Sequence, residues 1–240
     1  RVVWRLAGGY FTTNGVSAYV GGSERDGYQN TGLSGQLRFN ATEDLSLELR
    51  GHYSYGHNQI DGFPAPAFTF ADTAEYSKSR EFIGYAGVNF TLLGGRLKNR
   101  AAYAITELDF DNINPDQAVT TTTFGATGRN RRWEYQGSFS VVESWDAVFG
   151  AEHEKSSFRT ASPNAFDPDP PPALADASIT SAYVQVHGDV MPGLAVTGGL
   201  RYDSHEAFGE RAIGQASAAW SLNEGDTVVR ASFGQGFKAP

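Results

Sequence analysis

Asp203, Ser204 and His205 place the three residue types of a hydrolytic triad side by side. Nucleophilic catalysis needs a base within reach of the nucleophile. Consecutive strand residues point to opposite faces, so these neighbours cannot form a site by themselves. The five histidines, His52, His57, His153, His187 and His205, show no short metal-ligand spacing such as His-x-x-x-His. His52 and His187 fall on polar strand faces, where a polar side chain is expected anyway. Tyr19, Tyr28, Phe63, Phe68, Phe70 and Tyr76 lie in two stretches that read as long loops. Binding sites concentrate in such loops, so these rings could pack over a flat, partly apolar ligand, or equally on one another or on a membrane interface.

The elements that carry these loops are legible as a two-residue alternation. Leu33, Gly35, Leu37, Phe39 and Ala41 share one face, and Ser34, Gln36, Arg38 and Asn40 the other. Leu45, Leu47, Leu49, Gly51, Tyr53 and Tyr55 oppose Ser46, Glu48, Arg50, His52 and Ser54, and Trp133, Tyr135, Gly137, Phe139 and Val141 oppose Arg132, Glu134, Gln136, Ser138 and Ser140. Each is a strand with one oily and one wet face. The pattern predicts about eleven strands, near 1–11, 31–41, 45–55, 80–92, 96–109, 130–142, 146–156, 179–190, 194–204, 213–222 and 227–237. Long loops are expected at 12–30, 56–79, 110–129, 157–178 and 205–212. They alternate with short turns such as Thr42-Glu43-Asp44, Leu93-Gly94-Gly95 and Met191-Pro192-Gly193.

Alternation alone does not separate a soluble sandwich from a membrane barrel. The stretches run about 9 to 12 residues, the length a tilted strand needs to cross a bilayer. Aromatic residues such as Trp4, Tyr10, Tyr53, Phe90, Trp133, Trp145, Trp220 and Phe233 sit near strand ends, as interfacial girdles do. The wet faces carry Arg38, Glu48, Arg50, Arg100, Arg132, Glu134 and Asp189, which a dry core would not accept. These charges require a watery lumen or a polar plug, where pairing across strands is expected to contribute roughly 1 kcal/mol or less each.

The chain has 240 residues, 28 glycines and no cysteine, and its mean hydropathy is −0.38. It contains no apolar run long enough for a spanning helix, which leaves a β-barrel as the way to cross a bilayer. The net charge of −8 argues against a nucleic-acid partner. No signal peptide begins the sequence, so such a leader is expected to have been removed or to lie outside it. Barrels place short turns in the periplasm and long loops outside, so the first strand is expected to run outward. An odd strand count leaves a free edge, which points to a piece of a larger barrel. With one strand miscounted, a complete barrel of about ten or twelve strands remains the alternative, either an enzyme or a porin.

The stretch Ala231-Ser232-Phe233-Gly234-Gln235-Gly236-Phe237-Lys238-Ala239-Pro240 resembles the segment of TonB-dependent outer-membrane receptors in which an aromatic strand ends in Gly-x-Gly-Phe-Lys-Ala-Pro. Gly199-Leu200-Arg201-Tyr202-Asp203-Ser204-His205, followed by Phe208-Gly209, resembles the preceding strand and loop of that family, especially in its vitamin B12 receptor branch. A porin would not account for these matches. The resemblance implies an all-β, antiparallel up-and-down transmembrane barrel in the bacterial outer membrane, of which residues 1–240 form about half of the 22 strands. The plug domain and the C-terminal barrel half are then not present. The implied function is uptake, without chemistry on the substrate, of a bulky scarce nutrient: cobalamin first, a ferric siderophore second. The implied partners are the TonB complex, reached through the plug, and outer-membrane lipid.

No cofactor is required for such transport, but the resemblance extends to calcium. Glu24 and Asp26 in Ser23-Glu24-Arg25-Asp26-Gly27-Tyr28, Asp61 in Ile60-Asp61-Gly62 and Asp72 in Ala71-Asp72-Thr73 match the acidic loop positions with which the vitamin B12 receptor binds calcium. Glu24 stands where that receptor has Asp, and Ile60 replaces a Tyr. Calcium takes six to eight hard oxygens, so carboxylates converging from two neighbouring loops suit it.

Overall fold

A computed structural model describes residues 1–236. It contains eleven strands in chain order: β1 (Val2–Thr13), β2 (Tyr28–Asn40), β3 (Leu45–Gln59), β4 (Tyr76–Leu92), β5 (Leu97–Ile113), β6 (Thr122–Val142), β7 (Trp145–Ala161), β8 (Ala173–Met191), β9 (Leu194–His205), β10 (Gly209–Leu222) and β11 (Thr227–Gly234). They form one sheet in which every strand is hydrogen-bonded to its sequence neighbours, with β1 and β11 at the edges. All of the pairings are antiparallel, for example Trp4 opposite Leu37 and Leu49 opposite Ala86. The sheet is an unclosed up-and-down meander.

The register places the two faces as the alternation predicts. Leu33, Leu37, Leu47, Leu49, Trp133, Val184 and Leu200 are exposed on the outward face. The only buried hydrophobic residue among those described is Ala102, and Glu48, Ser181 and Asp203 are buried on the opposite, lumenal face. The sheet therefore has no dry core: its apolar side chains point toward lipid, and its packed layer is polar. Asn99, a polar residue on the outward face, is saturated locally. It accepts from the Tyr135 hydroxyl at 2.7 Å and donates to the Phe90 carbonyl at 3.3 Å, as a polar group facing lipid must. Opposite glycines accommodate large rings on the same face, since a Cβ at Gly137 would overlap the Phe149 ring and one at Gly188 the Trp145 indole.

The strands are longer than the periodicity indicates, and the excess lies at their extracellular ends. β4 begins at Tyr76 rather than at 80, β6 at Thr122 rather than at 130, and β8 at Ala173 rather than at 179, while β5 and β7 run on to Ile113 and Ala161. On the outward face of β6 the residues from Val141 to Trp133 are apolar or aromatic, a span of about nine residues that matches one crossing, and Arg131 and Arg129 follow. The neighbours switch at the same place, Phe82 giving way to Arg80 and Ile105 to Glu107. The backbone ladder continues beyond the lipid while the outward side chains become polar, so the hydropathy period disappears where the strand does not.

The loops are correspondingly shorter than expected. They cover 14–27, 60–75, 114–121 and 162–172, and the long loop expected at 205–212 is a tight turn at 206–208 between paired strands. β11 ends at Gly234 rather than at 237. The Phe237-Lys238-Ala239-Pro240 part of the quoted motif lies outside the described residues.

Candidate functional site

The first two long loops dock on one another through aspartates. Asp61 Oδ2 accepts from the Tyr19 backbone N–H at 2.8 Å and Asp61 Oδ1 from that of Thr73 at 3.3 Å. Asp72 Oδ2 accepts from the backbone N–H groups of Ser23 at 2.7 Å and Glu24 at 3.3 Å. Asp26 Oδ2 holds its own loop by accepting from Ala18 at 2.6 Å. Gly15, at a φ of +62°, lets that loop fold so closely on the Asp26 carbonyl that a Cβ would overlap it. The strands β1 to β4 hold the two loops over one end of the sheet, and the aspartates tie them together there.

This docking leaves carboxylate oxygens with nothing to bind. Glu24 Oε1, Asp26 Oδ1 and Asp72 Oδ1 are buried atoms without a hydrogen-bond partner. One carboxylate oxygen from each of Glu24, Asp61 and Asp72 falls in a group whose members lie within 4.8 Å of one another. Asp26 stands beside that group and outside it. Partial burial first, then the charges of Asp72, Asp26 and Asp61, push the Glu24 carboxyl above its ordinary value of 4.5. Hard oxygens turned inward and left unpartnered are the donor set that calcium takes, so the residues present fit that ion.

Three of the six aromatic residues come together beside these carboxylates. Phe70 packs edge-on to Tyr19 with centroids 6.2 Å apart and lies 5.4 Å from Phe63. Phe68 is exposed and has no ring partner among the described residues. Tyr28 and Tyr76 are strand residues rather than loop residues. Tyr28 packs against Phe11, while Tyr76 stacks on His57 at 4.8 Å and receives Lys78 over its face. Strand periodicity ends before both, which is why the sequence alone places them in loops.

The lumenal charges form ion triads, a regularity the sequence does not disclose. Glu48 sits between Arg38 at 3.3 Å and Arg50 at 2.7 Å, and Glu134 between Arg100 at 3.2 Å and Arg132 at 3.3 Å. Arg201 sits between Glu152 at 3.3 Å and Asp203 at 2.8 Å. Asp189 makes no ion pair among the described residues. Asp203 is thus committed to Arg201, while His205 Nδ1 accepts from the Ala207 backbone and its ring packs on Phe208. His52, His153 and His187 bond to the hydroxyls of Ser34, Thr180 and Thr197. No hydrolytic constellation is assembled from these residues.

The arrangement is shared with known proteins. The sequence model described as TonB dependent receptor-like, beta-barrel matches residues 3–240. Among solved structures, the siderophore receptor PirA from Pseudomonas aeruginosa superposes with a TM-score of 0.70 at 19% identity, and PirA from Acinetobacter baumannii with 0.74 at 17%. A mutant ferric enterobactin receptor from Pseudomonas aeruginosa in complex with enterobactin superposes with 0.73 at 16%. Each covers 100% of this chain, which spans 37%, 38% and 40% of their respective lengths. The outward apolar band, the polar lumenal face and the match over nearly every residue leave one conclusion: the chain belongs to the TonB-dependent receptor β-barrel family, whose members lie in the bacterial outer membrane and are transporters rather than enzymes.

Proposed function

We propose that the intact protein takes up a ferric siderophore across the outer membrane, energised through TonB, and that these eleven strands are one sector of a larger barrel closed around a plug. The observation that carries the substrate class is that all of the fold matches described above are siderophore or ferric enterobactin receptors. The lumenal ion triads support the plug, since they give a polar wall that a folded domain can hydrogen-bond. A corrinoid is the second reading, favoured by one feature: the converging Glu24, Asp61 and Asp72 beside Tyr19, Phe63 and Phe70.

Binding to the intact gene product in detergent separates the two readings. Tryptophan quenching by ferric enterobactin and other ferric siderophores, with no response to cyanocobalamin, is the expected result. Corrinoid binding alone would replace the siderophore reading.

Calcium in the docked loops is part of the proposal. When bound, it would supply positive charge that offsets the mutual repulsion of the carboxylates and so fixes the loop pair. Glu24, Asp61 and Asp72 would hold it, with Asp26 adding negative charge alongside. Calorimetric titration of calcium into the intact protein is expected to show binding that weakens about tenfold or more in Asp72→Asn, because affinity follows ligand charge. Unchanged affinity would remove the ion from the account.

The direction of the Glu24 shift sets a pH dependence. Its raised folded pKa means that the metal-free loops gain stability as pH falls through that pKa and lose it as pH rises, because the charged form is the penalised one. Calcium needs the charged form, so its affinity should rise with pH through the mildly acidic range. Glu24→Gln should flatten that profile, and a profile identical to wild type would mean that Glu24 is not a ligand.

A further inference from the structure

The rim of the sheet steps down between β8 and β9. β8 is paired with β7 as far as Ala173, opposite Thr160, but with β9 only from Ile179, opposite His205. The tight turn at 206–208 sends the chain into β10 at that height, so residues 173–178 stand above it with one edge open. Ser178 is the last residue tied on that side, its carbonyl accepting from the Glu206 N–H at 3.0 Å and its hydroxyl donating to Glu206 Oε2 at 2.8 Å. Backbone groups on an antiparallel strand turn to the same side at every second residue. Leu174 and Asp176 therefore aim N–H and C=O at the open edge, where no partner stands among the described residues. β9, β10 and β11 continue the sheet below this step, so it is separate from the two edges that closure of a barrel would pair.

An exposed strand edge is a template for another chain, and sheets blunt such edges with lysine, proline or a bulge. Residues 173–178 carry none of these. On the lumenal side, Ala175 and Ala177 are too small to cover Phe158, the β7 partner of Ala175, which stays 50% exposed. With Leu108 and Gly128 they line a cavity of about 410 Å³. On the outward side, Asp176 is exposed and makes no ion pair among the described residues. The edge thus offers unpaired backbone, an apolar recess on one side and a single negative charge on the other.

We infer that the open edge of β8 receives an extended segment of an extracellular polypeptide, added to the sheet as an antiparallel strand. Its apolar side chains lie toward Ala175, Ala177 and Phe158, and a basic side chain stands opposite Asp176. In strand addition the main-chain ladder supplies affinity and alternate side chains supply specificity, and this edge has something to bind for each. A second copy of the chain does not fit the antiparallel register. Copies in one membrane are related by rotation about its normal, so their β8 strands run the same way and, being tilted, cross. The partner is also distinct from the transported nutrient, which passes through the lumen, whereas the edge belongs to the rim.

The probe is a short fluorescent peptide of alternating valine and lysine, titrated into the intact protein in detergent and followed by anisotropy. Saturable binding is expected, weakened about tenfold or more when the peptide's lysine backbone nitrogens are methylated, since those N–H groups would face the edge. Leu174→Pro removes an edge donor and leaves the ladder to β7 intact, so it should weaken binding similarly. Asp176→Lys should weaken it about tenfold and transfer binding to a peptide of alternating valine and glutamate, because opposite charges attract across strands and like charges repel. Thermal melting is expected to be unchanged in both variants. Absence of saturable binding would overturn the proposal, by showing that the intact protein covers this edge with its own chain. Binding that survives methylation, or that ignores both substitutions, would overturn it as charge attraction elsewhere. Self-association of the protein that is lost in Leu174→Pro would replace the polypeptide partner with a second copy.

Discussion

Val184→Arg is expected to cost the folded barrel about 2–4 kcal/mol when unfolding is followed in lipid vesicles, the penalty of an arginine near the bilayer midplane. Val184 lies mid-strand on the outward face of β8, opposite Phe149 on one side and Leu200 on the other. Its neighbour Gln185 points to the lumen and accepts a hydrogen bond from Gln215 at 2.9 Å. Gln185→Arg should therefore cost less than about 1 kcal/mol, since the new charge meets water and polar groups. Adjacent residues with equal backbone roles would differ only in solvent. Urea titrations giving equal costs for the two substitutions would contradict the lipid assignment of the outward face, and the same pair compared in detergent micelles should show a reduced difference.

The second large effect is expected at Glu48. Its side chain is 4% exposed and takes hydrogen bonds from Gln36 at 2.7 Å, Arg50 at 2.7 Å and Arg38 at 3.3 Å. Glu48→Ala would leave two arginines diagonal to each other on adjacent strands without a counter-ion. Removing one member of a fully buried pair costs about 3–5 kcal/mol. Here the arginines are 48% and 55% exposed and can recover hydration, so we expect about 2 kcal/mol, within the range for hydrogen bonds to a charged group. That exceeds the surface-pair value the sequence suggests, because Glu48 itself is buried. In a thermal-unfolding cycle with Arg38→Ala and Arg50→Ala, the three changes should be strongly non-additive. Additive losses would mean that the triad does not act as a unit.

The sequence by itself determined the architecture. Alternation over 45–55 or 130–142 names the face of every residue there, because a strand has a period of two and lipid on one side tolerates no misplacement. The strand count, the antiparallel meander and the family all follow from that pattern together with the Gly-x-Gly-Phe motif. It also named the acidic loop residues, through resemblance rather than periodicity.

Other features needed tertiary structure. The extracellular extensions of β4 to β8 were illegible because both faces there meet water, so hydropathy stops alternating while backbone hydrogen bonds continue. The grouping of Glu24, Asp61 and Asp72, with Asp26 left just outside it, depends on how the loop at 14–27 docks on the loop at 60–75, which no local period encodes. The ion triads depend on register, since which charges stand opposite each other is set by the pairing of strands. A one-dimensional pattern determines which way each side chain points, whereas the identity of its neighbour is a property of the folded sheet.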